Sequence, residues 1–156
     1  MFAVLLTGCA SYSGSGLVPG EASEAQVMAL MGKPSTVRAA PDGEKVLWYS
    51  RLPFGRASYA ARIGSDDRLI GIEQRLTAEN IARLRVNQTT GEEVLDLLGP
   101  PNQTYQYPRT QREAWEYQVR VAPGPRTLYV QFSPDQVVRE IFQLSEDQKP
   151  VPFFGY

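Results

Sequence analysis

The residues able to do chemistry are few. The chain has 156 residues, one cysteine (Cys9) and no histidine. A lone cysteine forms no internal disulfide, and without histidine the usual proton shuttle and metal ligand are both missing. Adjacent carboxylates come next. Asp66-Asp67 lies in a turn, where Asp bonds to its own backbone and adjacent side chains point apart. Glu92-Glu93 falls at the expected start of a helix, where negative charge suits the helix dipole. Ser13-Gly14-Ser15-Gly16 would cradle phosphate only if a helix followed at once, and Leu17-Val18-Pro19 follows instead. Asn87-Gln88-Thr89 and Asn102-Gln103-Thr104 match a glycosylation acceptor but read better as loop and cap residues. These patterns predict no catalytic residue, no metal site, no cofactor and no small-molecule substrate.

Binding is the chemistry left. Tyr49, Phe54, Tyr105, Tyr107 and Tyr129 fall in predicted turns or strands. Such aromatics give large contact area at low entropic cost, so they are the candidate protein-binding residues. Trp48 and Trp115 suit sheet packing. The formal net charge of -1 gives no long-range pull toward phosphate, so nucleic acid is not an expected partner. The 42% hydrophobic and 21% charged content is that of a folded chain.

The start of the chain places Cys9. Met1-Phe2-Ala3-Val4-Leu5-Leu6 is apolar, Thr7-Gly8 is small, and Cys9-Ala10 follows. Secretory signals have this order. Leu6-Thr7-Gly8-Cys9 resembles the lipobox of bacterial lipoproteins. That resemblance implies cleavage before Cys9, a lipid on its thiol and an acylated new amino end. Residues 1–8 are then a signal peptide, shorter than the roughly 15–30 residues of a typical one and without its basic start. A start upstream, or a trimmed chain, is the expectation. Residues 9–19 read as a lipidated, Ser/Gly-rich flexible tether. Two or three acyl chains give stable attachment where one is marginal. In lipoproteins of this kind an Asp after the cysteine tends to retain the protein in the inner membrane, so with Ala10 the resemblance implies the outer membrane, facing the periplasm.

An internal repeat organises the rest. Ser23 to Pro34 matches Thr90 to Pro101 at an offset of 67 residues, and that offset carries Trp48 onto Trp115. Ser23 with Gln26, and Thr90 with Glu93, have capping-box spacing. Val27, Leu30 and Met31, like Val94, Leu97 and Leu98, form one apolar stripe each. Gly32 and Gly99 close the helices, and Pro34 and Pro101 prevent their continuation. Helices this short are marginal alone and must dock on a sheet.

Strands are predicted over 36–39, 45–51, 56–63 and 68–76, then over 104–107, 113–121, 127–132 and 137–144, with a short helix over 78–85 between the sets. Trp115, Tyr117, Val119 and Val121 alternate with Glu116, Gln118 and Arg120, so one face packs and the other meets water. The expected fold is α+β: two tandem helix-then-antiparallel-meander repeats, 20–76 and 77–145, packing short helices on a shared or adjoining antiparallel sheet. The tail 146–156, ending Phe153-Phe154-Gly155-Tyr156, either folds back or docks a partner.

Gly20, Val27, Gly32 and Pro34 before a Trp strand, with Val94, Gly99 and Pro101 in the second copy, resemble the SmpA/OmlA (BamE-like) family. Gln88 replaces the first glycine in the second copy. The tandem arrangement is also similar to the β-lactamase inhibitor protein architecture. The first resemblance implies a lipid-anchored scaffold supporting envelope integrity or outer-membrane β-barrel assembly, with barrel-assembly components among its partners. The second implies a protein inhibitor of a periplasmic or extracellular enzyme.

Overall fold

The structure, a computed structural model, describes residues 13–145 and residue 148. Cys9 and the aromatic end of the tail lie outside these. The chain order is α1 (Glu24–Met31), β1 (Thr36–Ala39), β2 (Lys45–Ser50), β3 (Ser58–Ile63), β4 (Leu69–Gln74), α2 (Ala78–Ala82), α3 (Gly91–Leu98), β5 (Gln103–Tyr107), β6 (Arg112–Val121), β7 (Gly124–Phe132) and β8 (Val138–Ser145). The strands form two separate antiparallel meanders, β1-β2-β3-β4 and β5-β6-β7-β8. The fold is therefore α+β and tandem, with one sheet per copy rather than a shared one.

The chain divides into two compact units. One holds the residues up to Tyr49 with Tyr59–Gln74, and the other holds Ser50–Ser58 with the chain from Arg75 onward. In the first unit Ser23 caps α1. Its hydroxyl accepts from the Gln26 N–H at 3.3 Å, and its own N–H donates to Gln26 Oε1 at 2.8 Å. That box satisfies two backbone donors that helix geometry leaves orphaned. Gly32 ends the helix at φ 86°, where a side chain would strain the backbone. Val27 and Met31 enter a core with Leu47, Tyr49, Ala61, Ile63 and Leu69. Gly14 is buried and Leu17 packs on this core, so the described part of the expected tether belongs to the folded unit.

The second unit repeats this logic. Thr90 and Glu93 form the same box, at 3.3 and 2.7 Å, and Gly99 ends α3 at φ 83°. Val94 and Leu98 pack among Trp115, Tyr117, Leu128, Val130, Phe132 and Val138. Ile81 and Leu84 join them, although α2 itself stops at Ala82. Trp115 meets Phe132 with ring centroids 4.5 Å apart.

The copies drift in register. Thr36 pairs with Trp48, whereas Gln103 pairs with Glu116. The offset is 67 for the first partners and 68 for the second, because the β5–β6 hairpin is one residue longer. A one-residue step moves a side chain to the opposite face of a strand. Trp48 thus corresponds to Glu116, and Trp115 to Leu47. The constant offset predicted matched tryptophans, and the pairing corrects this: the two do not occupy equivalent positions. Later pairs Ile63–Leu69 and Phe132–Val138 sit at an offset of 69, each beside the same register shift. Gaps in strand-connecting turns hide such a repeat from a fixed-offset comparison.

Candidate functional site

Among the described residues no three His, Cys, Asp or Glu side chains cluster as metal ligands would. Asp66 accepts the Arg68 N–H at 3.2 Å inside its turn, while Asp67 takes Lys45 Nζ at 2.9 Å. Lys45 also contacts Glu24, and these carboxylates hold its ammonium above the ordinary value, Glu24 foremost. Glu93 is the capping-box acceptor for Thr90. Asp66, Asp67 and Glu93 are thus each engaged in structural contacts.

A different carboxylate organises the second sheet. Alternation along β6 puts Glu116 on the face away from Trp115 and Tyr117, the face expected to meet water. Glu116 is nonetheless only 7% exposed and Gln118 4%. Tyr105 on β5 and Tyr129 on β7 close over Glu116. The β6–β7 register sets Tyr129 directly opposite it, and β5 brings Tyr105 diagonally alongside. The Tyr105 hydroxyl donates to Glu116 Oε2 at 2.8 Å, and that of Tyr129 at 3.2 Å. Asn102 donates to Oε1 at 3.4 Å, as does Gln118 through a short contact. Tyr129 stacks on Phe142 of β8 with centroids 5.1 Å apart.

Four neutral donors converge on this carboxylate, although the single Tyr105 hydroxyl hydrogen is shared with Gln103 Oε1 at 2.5 Å. The tyrosines are held protonated too. Burial first, then Glu116, pushes the Tyr105 phenol up to about 12 and raises that of Tyr129 as well. The cluster therefore fixes aromatic rings rather than moving protons.

The second aromatic feature is the β2–β3 loop. Arg51 N–H donates to Ala57 O at 2.9 Å, and Gly55 N–H to Arg51 O at 2.6 Å, which closes the loop on itself. A Cβ at Gly55 would collide with Arg51 Cβ and crowd the Arg51 carbonyl, so only glycine fits this approach. Leu52 packs on the second core. Phe54, at the tip, is 95% exposed.

The five predicted binding aromatics thus separate. Phe54 stands in solvent. Tyr107, 45% exposed, borders an open groove of about 430 Å³ with Pro108, Gln111 and Pro134. Tyr105 and Tyr129 meet at Glu116. Tyr49 departs from the expectation: it is 2% exposed, because its strand parity turns it into the first core beside Leu47 and Ala61. The sequence reading missed Glu116. Its signal was present in the two tyrosines that flank β6 on neighbouring strands, but only a known register brings them over one carboxylate.

No family model matches the chain, and no curated protein does. Among solved structures, the chain is similar to the DUF4309 family protein YjgB of Bacillus subtilis, at 20% identity over 85% of this chain and 84% of the other, with a TM-score of 0.35. It is also similar to a protein of Streptococcus mutans provisionally named a beta-lactamase inhibitor protein, at 12% identity over 81% and 83% of the two chains, with a TM-score of 0.37.

Proposed function

We propose that this chain is a non-catalytic protein-binding module of the inhibitor type, which inserts Phe54 into an apolar pocket of a partner enzyme. The observation that carries this reading is a fully solvated phenylalanine on a loop closed by its own backbone. Exposing such a ring has a cost of about 1.5–3 kcal/mol relative to burying it. A loop that pre-orders the ring reduces the entropy lost on binding. Inhibitors that dock rigidly use such anchors, and a central aromatic carries much of their affinity.

A second reading keeps the lipid. Leu6-Thr7-Gly8-Cys9 supports a membrane-tethered scaffold of the outer membrane, facing the periplasm and serving barrel assembly. One experiment addresses both. A photoreactive residue replaces Phe54 in cells that make the chain, and the crosslinked partners are identified. A single periplasmic or extracellular enzyme, inhibited by the wild-type chain and not by Phe54→Ala, is the expected result. Barrel-assembly components in its place favour the scaffold, and absence of any crosslink at Phe54 refutes the anchor role. Cys9→Ala leaving the chain in the membrane fraction refutes the lipid.

A further inference from the structure

An edge strand presents a row of N–H and C=O groups that its single neighbour cannot satisfy. Soluble proteins blunt such edges with charges, prolines or bulges. Among the described residues, three of the four sheet edges follow that rule. β1 carries Arg38. β4 carries Glu73 and the register shift near Ile63. β8 carries Arg139, Glu140 and the matching shift near Phe132.

β5 does not. Its sequence is Gln103-Thr104-Tyr105-Gln106-Tyr107, with no charge and no proline. Its pairing with β6 runs unbroken from Gln103–Glu116 to Tyr107–Arg112. Every residue but Tyr105 is exposed, and among the described residues β6 is its only sheet neighbour. Tyr105 leans inward over the sheet to reach Glu116, which keeps its ring off the outer side of the strand. Thr and Tyr favour extended backbone, so the strand is ready to pair.

We infer that β5 is a self-association edge, and that it pairs antiparallel with β5 of a second copy of this chain. A two-fold axis perpendicular to the sheet keeps the two outer faces on one side. Each side chain then opposes one of its own parity, and the register that pairs all five residues is centred on Tyr105. Gln103 faces Tyr107 of the other copy, Thr104 faces Gln106, and Tyr105 faces Tyr105. No like charges meet, which is the condition that directly opposed pairs must satisfy. An isologous contact of this kind closes at two copies and does not propagate. Five residue pairs make a small interface, so the dimer is weak and concentration-dependent. The inference is independent of the role proposed for Phe54.

Sedimentation equilibrium of the full chain under reducing conditions, from micromolar to about 1 mM, tests it. The wild-type mass is expected to rise from one chain to two. The double substitution Thr104→Lys with Gln106→Lys sets ammonium groups opposite each other at two places and is expected to stay monomeric. Thr104→Lys with Gln106→Glu sets opposite charges there and is expected to restore the dimer. Both positions are exposed, and circular dichroism confirms that each variant is folded. A wild-type chain that stays monomeric throughout overturns the inference. So does a dilysine variant that still dimerises, or a Lys/Glu variant that does not.

Discussion

Replacing Glu116 with alanine removes the acceptor for four hydrogen bonds at once. Tyr105 keeps a partner in Gln103 Oε1, but the Tyr129 hydroxyl and the Gln118 amide lose the only acceptor the structure gives them. A buried donor left unmade costs about 1–3 kcal/mol, so two orphans set a loss of about 2–6 kcal/mol. An opposing term reduces it. Glu116 has no cationic partner among the described residues, so its own desolvation is unfavourable, and alanine relieves that. The balance is a net loss of about 2–4 kcal/mol. Glu116→Gln has a smaller expected effect, about 1 kcal/mol, because its amide can still donate to a tyrosine oxygen and accept from Gln118, though without the charge-assisted strength of the carboxylate. Urea denaturation measures both, with an unchanged slope showing that the unfolded surface is the same. Tyr129→Phe made in both backgrounds isolates the pair, and a coupling of about 1 kcal/mol is expected. A Glu116→Ala loss below about 0.5 kcal/mol, or full additivity with Tyr129→Phe, would show that the cluster holds nothing together.

Two further outcomes follow from the same unit and its counterpart. The Tyr105 phenol, up to about 12 when folded against an ordinary 10.0, keeps its proton after the unfolded chain has released it. The unfolded state then binds fewer protons, so stability falls as pH rises from 10 to about 12, and a denaturation midpoint constant across that window contradicts the burial of this hydroxyl. Ser23→Ala and Thr90→Ala each open a capping box and are expected to lose about 0.5–2 kcal/mol in thermal or urea unfolding, whereas a loss in one copy alone breaks the equivalence of the helices.

Local rules fixed much of the fold. The capping pairs, the apolar stripes of α1 and α3 and the closing glycines depend on residues within one turn, so spacing alone reveals them. Strand positions were legible for the same reason, since alternation is a property of neighbours. The tryptophan match misled because an insertion in a hairpin leaves each strand readable while changing its parity relative to the other copy. Tyr49 was misplaced by the same limit: a tyrosine with one buried edge and a tyrosine with one wet edge look alike in a strand.

By itself, then, the sequence determined two capped helices each followed by an antiparallel meander, and a side-chain set with no histidine and one cysteine. Only the tertiary structure decided that Glu116 and Gln118 are buried on the face expected to be wet. It also decided that Tyr105 and Tyr129 converge on one carboxylate, and that among the described strands β5 is the one edge without charge, proline or register shift. The physical reason is register. Hydrogen bonds between strands place residues far apart in sequence side by side, and the two-residue period of a strand makes every one-residue step a change of face.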